Sequence, residues 1–173
     1  MRLRSNIISF ALRDWKLGDT HGLPHWQRVE RNGILLSLDK HKGSYIINKG
    51  IRLNVVRAFA YLHDKCRIDN YSDWEHGERA ARMLHNIRDS ILFELDDEEF
   101  SLLETACRLH TTTHKTGNLT IDTCFDADRL DLNRVGIIPE PNRMATEKGA
   151  YYARDPEAFN EFIKMYESYI KFT

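Results

Sequence analysis

Residues 53–67 read Leu53-Asn54-Val55-Val56-Arg57-Ala58-Phe59-Ala60-Tyr61-Leu62-His63-Asp64-Lys65-Cys66-Arg67, and this stretch decides the fold class. Val55, Val56, Phe59, Ala60 and Leu62 recur at helical spacing, so residues 53–66 form a helix with an apolar stripe. The polar pair His63-Asp64 follows the stripe directly. Outward from this helix the same period returns. Residues 75–93 carry Ala80, Ala81, Leu84, Ile87, Ile91 and Leu92 on one side. Asp96 caps a third helix, with Glu99 three residues on as its capping-box partner, and Leu102, Leu103, Ala106, Cys107 and Leu109 follow. Asp155-Pro156, a cap and then proline at the first helical position, starts a C-terminal helix over about residues 155–171. Its buried stripe is Phe159, Phe162, Ile163, Tyr166 and Ile170. Residues 26–38 and 125–133 supply further helices, and residues 7–15 a weaker one. Residues 139–153 read as irregular, a segment that either lines a pocket or, the favoured reading, ties down the last helix through Tyr151 and Tyr152. Alternating strand patterns are almost absent. The expectation is one all-α domain over residues 1–173.

Composition bounds the function. A chain of 173 residues allows one ordinary domain. Hydrophobic residues at 42% and charged residues at 29% permit a real core and exclude wholesale disorder. The 25 Lys plus Arg against 26 Asp plus Glu leave a formal net charge of -1, which excludes a strongly basic nucleic-acid coat. Cys66, Cys107 and Cys124 are odd in number and lack a C-x-x-C pair, so neither a disulfide framework nor a thiolate zinc site is expected. A reducing cytoplasm fits that usage. The apolar run over residues 7–12 is too short for a membrane span and lacks a small-residue cleavage site, so neither membrane insertion nor export is expected. Eight histidines are the one compositional feature that points somewhere.

The polar residues that need explaining lie near helix ends. Histidine nitrogen with carboxylate oxygen is the ligand mixture of divalent first-row metals, and it leaves room for water and phosphate. Alone, His63-Asp64 reads equally well as an exposed helix end. Other residues change that weighing. His25 lies in His21-Gly22-Leu23-Pro24-His25-Trp26-Gln27-Arg28-Val29, at the beginning of a helix. Asp128 lies in Asp126-Ala127-Asp128-Arg129-Leu130-Asp131, where Asp128 and Asp131 share a helical face, a repulsive pair that makes sense beside a cation. His76 opens another helix, and His110 and His114 follow the third one. His41 and His85 read as imidazoles that cap carbonyls or pack their rings. His114 stands evenly between that reading and a functional one.

In this order the residues resemble the HD-domain metal-dependent phosphohydrolases, whose ligands run His, His-Asp, Asp. The counterparts here are His25, His63-Asp64 and Asp128. His25-Trp26-Gln27-Arg28-Val29 is similar to the first motif. His63-Asp64-Lys65-Cys66-Arg67 is similar to the central motif of small single-domain bacterial members, with arginine three places after the aspartate. Asp73-Trp74-Glu75-His76-Gly77-Glu78-Arg79-Ala80-Ala81 matches the segment that follows, and Asp126-Ala127-Asp128-Arg129-Leu130-Asp131-Leu132 the last motif. The resemblance covers about residues 21–138. No Gly-Tyr-Pro extension follows the last histidine, so the cyclic-dinucleotide branch is not indicated.

The resemblance implies an HD-type helical bundle around a divalent ion (Mn, Fe, Co, Ni or Mg), held by His25, His63, Asp64 and Asp128. It implies hydrolysis of a phosphoester of a small compound, such as a nucleotide, by a metal-activated water. Asp64, His76 and His110 are then the catalytic residues, with Asp64 touching both metal and water. His76 and His110 also occupy the places of the extra histidines of two-metal relatives; a single tightly held ion is the expectation, because only four core ligands form a complete set. Arg67, Arg79 and Lys115 are the candidates for binding substrate phosphate, each weighed against an internal ion pair with Glu75, Glu78 or Asp131. The alternative function is a regulatory module that keeps the site and senses a nucleotide without turnover.

Overall fold

The computed structural model describes residues 2–170, and the side chains of residues 2–168. Among them are eight α-helices, two short 3-10 turns and one two-stranded hairpin. The helices are α1 (Arg2–Leu12), α2 (Leu23–Leu36), α3 (Leu53–Leu62), α4 (His76–Asn86), α5 (Asp97–Leu109), α6 (Leu119–Arg129), α7 (Glu147–Arg154) and α8 (Pro156–Ile170). The hairpin is β1 (Leu38–His41) and β2 (Ser44–Ile47). The all-α expectation is met at this level.

Helix α3 is the axle. Val55, Val56, Ala58, Phe59, Ala60, Tyr61 and Leu62 are all buried, so it is apolar nearly all round, the pattern of a helix enclosed by others. Helices α1, α2, α5 and α6 pack around it. A single apolar cluster runs from Leu3 and Ile7 through α3 to Phe159 and Phe162. Helix α1 is further tied down by Arg4, whose guanidinium donates to both oxygens of buried Glu30 at 2.6 Å, while Tyr61 donates to the same carboxylate at 2.5 Å.

Several local signals act as expected. Asp96 accepts from the Glu99 amide at 2.7 Å and Glu99 reaches back to the Asp96 amide, completing the capping box of α5. Asp155 accepts from the Ala158 amide at 2.9 Å at the start of α8. Phe159 and Phe162 of α8 are buried, with Ile163 and Tyr166 packed beside them; the side chain of Ile170 lies outside the described residues.

Other boundaries are corrected. Helix α1 begins at Arg2 and ends at Leu12, short of Trp15. Helix α2 ends at Leu36, because Leu38 pairs with Ile47 across a hairpin whose turn residues Lys42 and Gly43 both have positive φ, 47° and 86°. The helix expected to run to residue 93 stops at Asn86. The apolar positions Ile87, Leu92 and Leu95 remain buried, but the backbone turns, and Arg88 closes the turns by donating to the carbonyls of Leu92 and Leu95. Helix α6 starts six residues before the expected Phe125, where Asn118 accepts from the Thr120 and Ile121 amides. It ends at Arg129, so Asp131 lies past the helix instead of on a shared face with Asp128. The segment expected to be irregular contains α7, capped by Thr146; Tyr152 of α7 packs against Phe159 and Phe162.

Candidate metal centre

Three helix ends converge beneath α3. His25 lies in the first turn of α2, His63 is the C-cap of α3 with Asp64 next to it, and Asp128 lies in the last turn of α6. The approach of α2 to α3 depends on Gly33, where a Cβ would stand 2.4 Å from Val56 Cγ1. The Nε2 atoms of His25 and His63 are 3.2 Å apart. Both lie 3.6 Å from Asp64 Oδ2, and they stand 3.4 and 3.8 Å from Asp128 Oδ1.

A second group faces the first. His76 opens α4 and His110 is the C-cap of α5. Their Nε2 atoms are 2.8 Å apart, and they stand 3.0 and 4.0 Å from the other oxygen of Asp64, Oδ1. The triads His25–His63–Asp64 and Asp64–His76–His110 each bring their donor atoms within 4.8 Å of one another. So does His63–His110–Asp128, which makes one chamber of the two groups. All but Asp128 are buried.

The tautomers are set from outside the chamber. A carbonyl or carboxylate oxygen can only accept, so the ring nitrogen facing it carries the proton. His25 Nδ1 donates to Asp131 at 2.8 Å, His63 Nδ1 to the Phe59 carbonyl at 3.0 Å, and His110 Nδ1 to the Cys107 carbonyl at 2.7 Å. His76 Nδ1 donates to the Asp73 carbonyl. The Nε2 atoms of all four rings therefore point inward, two of them against two others, and that of His76 also stands 3.0 Å from Asp64 Oδ1. Burial and the neighbouring His63 and His76 push the His110 imidazole down to about 3, and burial lowers His63 despite Asp64 and Asp128 beside it. His63 and His110 are therefore neutral at pH 7 and bring no proton to their close contacts with His25 and His76.

A cation would relieve them. Donors at right angles on an ion with bonds of about 2.1 Å stand about 3.0 Å apart, and opposite donors about 4.2 Å. The separations here run from 2.8 to 4.0 Å. Burial works against ionisation of Asp64 and Asp128, but the surrounding histidines, with Arg134 for Asp128, outweigh it and hold both carboxyls below the usual range. Asp128 Oδ1 is a buried atom with no hydrogen-bond partner. These His and Asp residues could hold a metal ion, and the donor chemistry fits one.

The phosphate-binding candidates separate. Arg67 lines the cleft over the centre, 3.5 Å from Asp64 Oδ1 and 3.3 Å from both ring nitrogens of His76. Arg79 is committed elsewhere: it donates to the Cys66 carbonyl and to Asp73, and stands 3.8 Å from Glu75. Lys115 is not brought to the centre; it lines a separate cleft with Asp39, Asp122 and Lys148. Among the other histidines, His85 is exposed and pairs with Glu104, His114 meets the Met144 carbonyl, and His41 is exposed at the end of β1.

Sequence reasoning missed Arg134 and His21 as neighbours of the centre, and it placed Asp131 beside a cation without finding its contact with His25. Asp131 orients His25 and is itself gripped by Arg28 at 2.6 and 3.0 Å. Arg134 reaches 3.7 Å from Asp128 and donates to the Thr20 carbonyl. His21 donates through Nδ1 to Asp64 Oδ2 at 3.0 Å, and its buried Nε2 has no partner. The signal for His21 in the sequence is its place four residues before His25. Asp64, His76, His110 and Asp128 line a cleft of about 340 Å³, together with His21, Arg67 and Arg134. No helix among the described residues is long and apolar enough to cross a membrane.

No family model, curated protein or solved structure matches the chain.

Proposed function

We propose that the chain is an HD-type metal-dependent phosphohydrolase acting on a small phosphorylated compound such as a nucleotide. The observation that carries the reading is the ring of inward Nε2 atoms from His25, His63, His76 and His110 around Asp64. It favours two cations over one, because the two oxygens of Asp64 are divided between the two histidine pairs. His25, His63, Asp64 and Asp128 would hold the tighter ion with four donors, and Asp64, His76 and His110 the weaker one with three.

Bound divalent ions would supply a lowered water pKa and neutralise charge on the phosphoryl oxygens. The chain's own residues do the rest. Arg67 and Arg134, on either side of the cleft floor, meet the phosphate with charge-assisted hydrogen bonds. Asp131 and the carbonyls of Phe59, Asp73 and Cys107 fix the imidazoles so that no reorientation is needed when charge develops. In the overall step water adds to phosphorus, the ester P–O bond breaks, and an alcohol and phosphate leave. The free Cys66, Cys107 and Cys124 support a reducing, cytoplasmic setting. The test is a screen of phosphomonoesters and phosphodiesters with Mn, Mg, Fe, Co and Ni. Phosphate release that depends on the metal and is lost in Asp64→Ala supports the reading; no release from any of them, with the metal bound, counts against it.

A further inference from the structure

A second cleft, of about 330 Å³, is lined by residues of the hairpin and of the starts of α6 and α7. It shares no lining residue with the cleft over the metal centre. Its volume lies at the small end of ligand pockets. Leu36, Ile51 and Ala145 give it a buried apolar lining, and Leu119 beside them is 41% exposed.

Five charged side chains line this cleft, and three of them are spent. Lys148 donates to the carbonyls of Leu36 and Leu38 and to Asp39. The other oxygen of Asp39 accepts from Asn48 at 2.6 Å. Buried Asp122 accepts from the amide and hydroxyl of Thr116 at 2.7 and 2.8 Å and from the Gly117 amide at 3.0 Å. These bonds fix the walls. The two charges left over are Lys115 and Glu147, which have no hydrogen bond or ion pair among the described residues and are not paired with each other.

A third group is also without a partner. Thr123 of α6 lines the cleft and is 1% exposed, yet its hydroxyl makes no hydrogen bond among the described residues. A buried hydroxyl is ordinarily paired, in a helix often with the carbonyl four residues back. At the start of α7 the Thr146 hydroxyl takes only the Gly149 amide, at 2.9 Å, which leaves the amides of Glu147 and Lys148 as donors for an anion.

We infer that this cleft binds a free α-amino acid with an apolar side chain. The two unspent charges have opposite signs, so a ligand that answers both carries an anion and a cation. The carboxylate goes to Lys115 and the first amides of α7, the ammonium to Glu147, and the side chain to Leu36, Ile51 and Leu119. Thr123 supplies one more hydrogen bond to the charged end. The site stands apart from the metal centre and does not depend on the reading of that centre.

The experiment is a methyl NMR titration of the protein in Mg²⁺ with leucine, with 4-methylpentanoate, which is leucine without its ammonium, and with 3-methylbutylamine, which is leucine without its carboxylate. Leucine should move the methyl signals of Leu36, Ile51, Leu119 and Thr123, and bind about fivefold more tightly than either half, the upper range for an exposed ion pair. Lys115→Gln should weaken leucine and 4-methylpentanoate but not the amine. Glu147→Gln should weaken leucine and the amine but not 4-methylpentanoate. Thr123→Val keeps the shape of the side chain and should weaken leucine about fivefold, the contribution of one net hydrogen bond. The same spectra report whether each variant is folded. Methyl signals of this cleft that stay in place with millimolar leucine would overturn the inference. So would a half that binds as tightly as leucine, or charge variants that do not separate the two halves.

Discussion

Replacing Gly77 with alanine should disturb the centre from a position that holds no ligand atom. A Cβ at Gly77 would stand 2.5 Å from the Cys107 carbonyl oxygen and 3.2 Å from both the Arg108 carbonyl oxygen and His110 Cε1. Ordinary contact begins near 3.4 Å, so α4 and α5 must part locally by about 0.9 Å. Overpacking of this kind costs about 1–3 kcal/mol, while alanine in a helix gains about 1 kcal/mol over glycine. The net loss is about 0–2 kcal/mol, or up to about 8 °C in Tm for a chain of this size. The larger effect falls on the metal. The Cys107 carbonyl that the Cβ strikes is the one that accepts His110 Nδ1, and His76 and His110 are 2.8 Å apart across the same contact. Loss of that orientation should weaken the second ion about tenfold or more. Thermal melting with and without Mn²⁺, together with metal titration, reads both. A variant that gains about 1 kcal/mol and binds metal like the wild type would refute the reasoning, because it would have the propensity gain without the clash.

Asp131→Ala removes the acceptor that orients His25, and should lower affinity for the first ion by about 10- to 100-fold, read by competition with a chelator. An unchanged affinity would remove Asp131 from the account. His85→Gln should leave metal content and turnover at the wild-type level, since His85 is exposed and meets only Glu104 and the Phe100 ring; a loss as large as that of His63→Gln would contradict the placement of α4. Acid should destabilise the metal-free protein. His110 is held down at about 3 when folded and titrates near 6.5 when unfolded, so between those values the unfolded chain binds the extra proton and stability falls as pH falls. The loss from this one ring is about 2 kcal/mol from pH 7 to pH 5. The depressed Asp64 and Asp128 add a loss of the same sign below about pH 4. A metal-free protein equally stable at pH 5 and pH 7 in denaturant titrations would show that these histidines are not buried neutral.

What could be read in the chain was what local chemistry controls. The stripe of α3, the Asp96–Glu99 box and the Asp155-Pro156 start are short-range signals, and the structure follows them. His25, His63, Asp64 and Asp128 lie near helix ends, but it was their order along the chain, His, His-Asp, Asp, and its resemblance to the HD-domain pattern that picked them out. The hairpin was hidden because its apolar residues Tyr45, Ile46 and Ile47 are consecutive and half-exposed, so no alternation marks them. The stop at Asn86 was hidden because turns stabilised by Arg88 keep Ile87 and Leu92 in the core. Arg134 and His21 lie 113 residues apart and meet only through the fold, so no window of sequence joins them. The choice between Arg67 and Arg79 turned on which carbonyls each one reaches, and that is tertiary information.

The most direct test of the metal centre is the metal content of the purified protein after equilibration with Mn²⁺, measured for the wild type and for Asp64→Ala. The account predicts two ions per chain in the wild type. It predicts none held tightly in Asp64→Ala, because both histidine pairs share that carboxylate. Full metal retention in Asp64→Ala, and likewise in Asp128→Ala, would contradict it.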